Sequence, residues 1–194
     1  MALWRDDQPG TELRTRELTL RAPQTSDYEA WAKLRSASRK HTEPWEPTWT
    51  ADELTRSAYR GRLRRYELDW KDGRGAPFFV VRKRGNVLIG ACNLNNIRRG
   101  VMQSADIGYW IGAPYVRQGY ARQAIRRVLA FAFEDLSLNR IEAAVQPENA
   151  ASRALLEEIG FQYEGRARKL LFIAGEWRDH DRLSFLAGDR RDDV

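Results

Sequence analysis

The stretch that decides the fold is YVRQGYAR, residues 115–122, which lies between a strand-like segment and a helix-like segment. The preceding residues, ADIGYWIGAP (105–114), predict a strand that glycine and proline bring to an end. The following residues, 121–136, repeat apolar side chains at helical spacing. A helix that begins near Gly119 leaves its first backbone amides without internal partners, and such amides form an anion site.

The residue types in this stretch suit a diphosphate group. Gly119 and Ala121 carry the smallest side chains, so they let a phosphate approach the main-chain nitrogens. We expect Tyr120 to point into the protein, while Arg117 and Arg122 neutralise peripheral phosphates. A structural alternative stays open, in which Gly119 eases a turn and Ala121 is simply a good helix former.

Length and composition predict a single soluble domain over residues 1–194, with frayed ends at 1–12 and 188–194. We find no apolar segment long enough for a membrane span and no secretory signal, so we expect a cytoplasmic protein without a membrane partner. The single cysteine, Cys92, lies in an apolar run and predicts a buried thiol. The net charge of +6, mostly arginine, favours an anionic partner: a phosphorylated cofactor, ribosomal RNA or an acidic protein surface.

The N-terminal half of the chain alternates between strand and helix patterns. Residues 17–23 predict a strand, and residues 25–38 predict a first helix. The two prolines of HTEPWEPTW (41–49) predict a loop. Thr50 and Glu53 suggest a capping box for a second helix over 51–72, and residues 76–97 predict two strands that turn at Arg84-Gly85-Asn86.

The C-terminal half adds a strand at 140–145, a helix at 149–159 and strands near 161–164, 168–174 and 177–186. Asn149 predicts the start of the helix and Gly160 its end. The resulting fold class is α/β (α+β), with a mixed, mostly antiparallel sheet of about seven strands and about four flanking helices.

These motifs resemble the GNAT superfamily of acyl-coenzyme A-dependent N-acyltransferases, whose signature Q/R-x-x-G-x-G/A begins the helix after the fourth strand. Val116 stands at the first position of the signature, which loses a side chain but keeps the amides. The closer resemblance is to ribosomal-protein alanine N-acetyltransferases of the Rim type, which act on protein S5. It covers nearly the whole chain through LTLRAP, HTEPWEP, GACNLNNIRRG, DIGYWIG, RQGYARQA, NAASRALLEEIGF, YEGRAR and GEWRDH.

The resemblance implies acetyl-coenzyme A as cosubstrate, bound in a sheet splayed between the fourth and fifth strands, with no metal. It implies that Asn149 holds the pantetheine arm and that Ser152 protonates the departing thiolate. The structural alternative is that Asn149 only caps the helix and Ser152 is a residue of its first turn. The implied cofactor-binding residues are Trp110, Ile111, Gly112, Arg117, Gln118, Gly119, Tyr120, Ala121, Arg122, Asn149, Ser152 and Arg153.

The general base is the open part of the site. Some members of the superfamily carry a glutamate at the position that aligns with Leu171, so we consider Asp106 and Glu46 as catalytic carboxylates that act through a relayed water. Glu43, Trp45 and Glu46 are the expected contacts for the acceptor amine. Trp45 has an equal alternative as a packing residue under the second helix. His41 and His180 are too isolated to suggest a metal site, and we expect His180 to be structural.

The expected reaction is direct attack by a protein N-terminal amine on acetyl-coenzyme A, with a ribosomal protein that begins with alanine as acceptor. A monomer or weak homodimer near the ribosome is the expected assembly. Two alternatives stay open. One is acetylation of a small amine such as an antibiotic, polyamine or amino acid, and the other is a non-catalytic module that binds RNA or coenzyme A.

Overall fold

The computed structural model describes residues 11–189, and these form one open sheet of eight strands with four flanking helices. The strand order is β1-β2-β3-β4-β5-β6-β8-β7, in which β5 and β6 are parallel and all other neighbours are antiparallel. The strands are β1 (Glu12–Arg14), β2 (Leu18–Arg21), β3 (Phe79–Arg82), β4 (Val87–Arg98), β5 (Ser104–Ile111), β6 (Arg140–Val145), β7 (Gln162–Ile173) and β8 (Glu176–Leu186). The helices are α1 (Tyr28–Thr42), α2 (Arg56–Lys71), α3 (Tyr120–Ala130) and α4 (Ala150–Ile159).

Helices cover both faces of the sheet because its central strands are apolar on both sides. On β3, Phe79 and Val81 face a cluster with the apolar side chains of α1 and α2, whereas Val80 faces the larger cluster built from α3 and α4. Successive side chains of a strand point to opposite faces, so this run of buried residues requires two helical layers. The sheet is therefore the middle layer of the molecule.

The sheet splays where β5 and β6 separate. Ser104–Asp106 of β5 pairs with Arg140–Glu142 of β6, and the pairing ends there although β5 runs on to Ile111 and β6 to Val145. The expected V-shaped gap between the fourth and fifth predicted strands is confirmed, and these strands are β5 and β6.

The register of β5 determines which of its backbone groups face this gap. The amide of Gly112 donates to the carbonyl of Ile89 on β4 at 2.8 Å, and the backbone bonds of an antiparallel strand alternate in direction. Even-numbered residues of β5 therefore bond to β4. The amides and carbonyls of Ile107, Tyr109 and Ile111 point towards the gap, beyond the last pair with β6.

The two ends of the described chain contain structure that the sequence did not predict. Glu12 begins β1 and pairs with Arg21, which raises the strand count from seven to eight. Residues 187–189 form a short 3-10 turn, in which Asp189 Oδ2 accepts from the amide of Leu186 at 2.9 Å. Residues 12 and 188–189 of the expected frayed ends are therefore structured, residue 11 has no regular secondary structure, and residues 1–10 and 190–194 lie outside the described range.

Helix α2 begins later than predicted. Thr55 is its N-cap and accepts from the amide of Ala58 at 3.2 Å, while residues 51–54 form turns. The predicted capping box of Thr50 and Glu53 is wrong because no helix starts there: Thr55 caps the helix, and the Glu53 carboxylate pairs with Arg62.

Helix α1 is longer than predicted, and β7 is continuous. Helix α1 extends to Thr42, and Glu43–Trp45 form a 3-10 turn that accommodates Pro44 near its start. The strands predicted at 161–164 and 168–174 are one strand with two register shifts, next to Gly165 and Lys169 at positive φ.

The turn predicted at 84–86, between β3 and β4, is confirmed. No helix among residues 11–189 is long and apolar enough to span a bilayer.

Candidate active site

A cleft of about 190 Å³ opens at the gap between β5 and β6. Its walls come from β5, β6, the start of α4, β8 and the turn that follows α1. The cleft brings together elements that are far apart in sequence, and several of its residues carry polar groups suited to chemistry. It is lined by Trp45, Ile107, Gly108, Tyr109, Ala143, Ala144, Val145, Gln146, Asn149, Ser152, Leu156 and His180.

Ser152 and Tyr109 form a hydrogen-bonded pair in this cleft. The hydroxyl oxygens lie 2.7 Å apart, and Tyr109 also lies 3.5 Å from the carbonyl oxygen of Ser152. Burial raises the pKa of Tyr109 to about 12, while the bond to Ser152 acts in the opposite direction. Tyr109 therefore stays protonated near neutral pH and can serve as a donor to Ser152.

Asn149 caps α4, as the structural alternative predicted. Its side-chain oxygen accepts from the backbone amide of Ser152 at 3.2 Å, and its backbone amide donates to the carbonyl of Gln146 at 2.9 Å. This cap fixes the first turn of α4, so the hydroxyl of Ser152 is held at the cleft wall. Asn149 also lines the cleft itself.

The start of α3 has the form expected of an anion site. Gly119 is the N-cap with φ of 77°, and it has no side chain to satisfy the first amides of the helix. A Cβ placed on Gly119 would meet no atom within 4 Å, so the space above it is open. Tyr120 is buried as predicted, and Ala121 is partly buried.

The polar side chains around this loop are arranged less simply than the sequence suggests. Arg117 and Gln118 are exposed, and the Gln118 amide donates to the carbonyl of Pro114 at 3.3 Å. Arg122 forms an ion pair with Glu158 of α4 and is not free in this structure. Val116 packs against the larger core cluster, which agrees with the loss of a polar side chain at that position.

The structure corrects the expected backbone contacts on β5. Trp110 and Gly112 direct their amides towards β4, so only Ile111 of the three predicted residues faces the gap. The side chain of Trp110 lies on the opposite face, 5.0 Å from the Arg35 guanidinium. Gly112 is required because a Cβ there would lie 2.4 Å from Leu34 of α1.

Glu46 is not placed to act as a base. Both of its carboxylate oxygens accept from the Arg35 guanidinium at 2.8 Å, and Trp49 Nε1 donates to one of them at 2.9 Å. Arg35 is buried between the rings of Trp49 and Trp110. Glu46 therefore holds the 41–49 segment on α1, and both of its carboxylate oxygens are occupied by these donors.

Asp106 and Glu43 also lie outside the cleft and are paired. Asp106 accepts from Arg98 at 3.0 Å and from Asn96 at 2.8 Å. Glu43 accepts from Arg39 one helical turn earlier at 2.9 Å, and that bond lowers the pKa of Glu43. Of the three predicted acceptor contacts, only Trp45 lines the cleft, with its side chain about one third exposed at 38%.

A buried ion pair joins α4 to β8. Asp181 is only 1% exposed and accepts from Arg153 at 2.8 Å and from Arg166 at 2.9 Å. The predicted contact between Arg153 and cofactor is thus replaced here by a tie between helix and strand. Arg153 follows Ser152 on α4 and Asp181 follows His180 on β8, so this ion pair joins the two elements that carry these cleft residues.

Sequence reasoning missed Tyr109, Gln146 and His180 as cleft residues. Alternation along β5 could have placed Tyr109 on the same face as Ile107 and Ile111, but its partner Ser152 is 43 positions away. Gln146 donates to the carbonyl of Pro44 at 3.1 Å and so fixes the turn beside the cleft. Among residues 11–189 no group of three or more His, Cys, Asp or Glu side chains could hold a metal ion.

Comparison with known proteins agrees with this geometry. Residues 17–162 match the acetyltransferase (GNAT) domain. The chain is 33% identical over 177 residues to the probable N-acetyltransferase YjcK of Bacillus subtilis, covering 91% of this chain and 98% of that protein. It is 30% identical over 179 residues to the [ribosomal protein uS5]-alanine N-acetyltransferase of Escherichia coli, covering 91% of each.

A solved structure also resembles this fold. Mycobacterium smegmatis RimJ, in complex with CoA-disulfide, superimposes with a TM-score of 0.85 at 32% identity, covering 92% of this chain and 87% of that one. The chain belongs to the GNAT acetyltransferase family, as its splayed sheet and its loop before α3 indicated. It is an acyl-coenzyme A N-acyltransferase with Rim-type relatives.

Proposed function

We propose that this enzyme transfers an acetyl group from acetyl-coenzyme A to the N-terminal α-amine of a ribosomal protein that begins with alanine. The observation that carries the proposal is the gap between β5 and β6, because it joins an unpaired backbone edge to the Ser152–Tyr109 pair. The resemblance to the uS5-alanine enzyme over nine tenths of both chains supports this acceptor.

The residues present fit coenzyme A. The free edge of Ile107, Tyr109 and Ile111 offers alternating donors and acceptors, which suits an extended amide chain such as pantetheine. The first backbone amides of α3 lie next to Gly119, where the space is open, so a diphosphate can reach them. Acetyl-coenzyme A supplies the activated acetyl group, and the chain supplies position and proton transfer.

Ser152 is the proposed proton donor. As the amine nitrogen bonds to the acetyl carbon and the carbon–sulfur bond breaks, the Ser152 hydroxyl gives its proton to sulfur. The proton that the nitrogen then loses restores the hydroxyl. Tyr109 holds the Ser152 hydroxyl in place through the 2.7 Å bond and stays neutral because burial raises its pKa to about 12.

The acceptor proposal rests on the chemistry of the amine and on the cleft wall. An α-amine has a pKa near 7.7 to 8.0, so roughly a tenth of it is neutral at pH 7, whereas a lysine amine near 10.4 is almost fully charged. Trp45 presents a partly exposed ring at the cleft, which attracts an incoming ammonium group. The lower pKa favours an N-terminal amine over a lysine amine, and the Trp45 ring suits the ammonium form of either.

Mass spectrometry of a peptide reaction tests the proposal. Purified enzyme and acetyl-coenzyme A are incubated with the N-terminal peptide of ribosomal protein uS5, beginning with alanine, and with the same peptide carrying a blocked α-amine and an internal lysine. We expect one acetyl group on the free peptide and none on the blocked one. Faster reaction with spermidine, or binding of RNA without turnover, would contradict the proposed acceptor.

A further inference from the structure

We propose that His180 is the general base, the residue that takes the proton from the acceptor ammonium before attack. This inference rests on the proposed function and names a residue that the sequence predicted to be structural. His180 is 3% exposed, lies on β8 and lines the same cleft as Ser152. Buried polar groups are normally hydrogen-bonded, so the partner of each imidazole nitrogen of His180 matters.

The hydrogen bonding of the ring defines its tautomer. Nδ1 lies 3.0 Å from the carbonyl oxygen of Arg178, and a carbonyl oxygen can only accept. Nδ1 therefore carries the proton in the neutral ring, and Nε2 carries a lone pair. Within residues 11–189 Nε2 has no hydrogen-bond partner, so this lone pair is available in the cleft.

No carboxylate competes for this role in the described cleft. The carboxylates considered from sequence lie elsewhere in ion pairs, and Asp181 beside His180 is held by two arginines. Tyr109, the other titratable group of the cleft, has its pKa raised to about 12 and is a donor near neutral pH. The paired charges on the surrounding elements include Glu43 with Arg39, Glu46 with Arg35, Asp106 with Arg98, Glu142 with Arg98, Arg140 and Arg182, Glu157 with Arg153, Asp181 with Arg153 and Arg166, and Glu176 with Arg178.

Ser152 and His180 lie on two elements that an ion pair joins. Arg153 and Asp181, their immediate neighbours in sequence, form this 2.8 Å pair between α4 and β8. Acid and base thus stand on two walls of one cleft. The first ammonium proton passes to His180 Nε2 and then to solvent, which leaves a neutral amine to attack.

A pair of variants separates a catalytic role from a structural one. In His180→Asn the side-chain amide can still donate to the Arg178 carbonyl, but it has no titratable acceptor. We expect the melting temperature and the KM for acetyl-coenzyme A to stay nearly unchanged, while kcat at pH 7 falls about 100-fold. His41→Ala is the matched control, because His41 is exposed on α1 and should retain full activity.

The pH profile gives the decisive readout, measured on an acceptor that the wild-type enzyme uses. The value of kcat/KM is measured for wild type and for His180→Asn across the pH range in which the acceptor α-amine loses its proton. The loss of kcat/KM in His180→Asn, relative to wild type, should become smaller as the pH rises past the α-amine pKa, because the amine then deprotonates without a base. A deficit that stays constant from pH 6.5 to 9.5, or near-normal kcat in His180→Asn, overturns the proposal.

Two further measurements keep the test independent of folding and of the acceptor. If His180→Asn fails to fold, His180→Gln replaces it, because its side chain also carries an amide donor and no titratable acceptor, and near-normal kcat in folded His180→Gln overturns the proposal. The acceptor is chosen from the amines that wild-type enzyme acetylates in the peptide experiment. Failure of the alanine peptide therefore refutes the proposed acceptor, whereas a normal profile in His180→Asn refutes the base.

Discussion

Tyr109→Phe isolates the hydroxyl that holds Ser152. The substitution keeps the ring and removes one hydrogen bond of 2.7 Å in a partly buried pair. A neutral bond contributes about 0.5 to 1.5 kcal/mol, and water in the cleft can replace part of it, so we expect a stability loss of about 1 kcal/mol. For a chain of this size that lowers the melting temperature by about 2 to 4 °C.

The effect on catalysis follows from the same bond. Loss of the group that aims the Ser152 hydroxyl should lower kcat about tenfold, which corresponds to about 1.4 kcal/mol, with little change in the KM for acetyl-coenzyme A. Stopped-time acetylation assays on the single and double variants measure it. In a Ser152→Ala background, Tyr109→Phe should have no further effect, since the bond is already gone.

An equal tenfold loss in both backgrounds would refute this reasoning, because Tyr109 would then act independently of Ser152. The pH dependence adds a second check. The pKa of Tyr109 is raised in the folded state, so the stabilisation is complete below the unfolded value near 10 and is lost as the pH rises towards 12. Tyr109→Phe should lack this alkaline loss of stability.

Three further predictions concern glycines and the thiol. Gly90→Ala should destabilise by about 3 kcal/mol, because its Cβ would lie 2.2 Å from the Trp110 carbonyl oxygen, whereas Gly61→Ala in α2 meets no atom and should stabilise slightly; chemical denaturation measures both. Gly119→Ala should weaken coenzyme A binding tenfold or more by calorimetry, while Gly175→Ala, which has the same positive φ and open surroundings, should cost similar stability without affecting affinity. Cys92 is fully buried and burial raises its pKa, so it should resist alkylation in the folded state, and Cys92→Ala should retain turnover.

Local patterns predicted the elements that carry the site. The small residues of the loop before α3, the cap at Asn149 and the turn at 84–86 each depend on neighbours in sequence, and each was confirmed in the structure. Helix α4 ends at Gly160 as predicted, with Phe161 donating to the carbonyl of Leu156 at 2.9 Å. Such features need only local steric and hydrogen-bond rules.

Long-range pairing explains what the sequence did not predict. Glu46 was predicted as a free carboxylate, whereas the structure pairs it with Arg35 between two tryptophan rings, and Glu53, predicted as part of a cap, pairs with Arg62. Sequence spacing did not place His180 in the cleft, since the cleft is assembled by strands and a helix from distant parts of the chain. Such ion pairs and clefts depend on tertiary contacts between distant residues, which the spacing of residue types along the sequence does not predict.

We propose that the pantetheine arm binds along the free edge of β5, in the gap beside β6. Amide NMR of the enzyme titrated with coenzyme A distinguishes this edge from the edge that faces β4. We expect large shifts and slowed hydrogen exchange at Ile107, Tyr109 and Ile111, with small changes at Gly108 and at other amides that bond to β4. Unchanged amides at Ile107, Tyr109 and Ile111 on binding, or an equal perturbation of Gly108, would show that pantetheine does not bind along this edge.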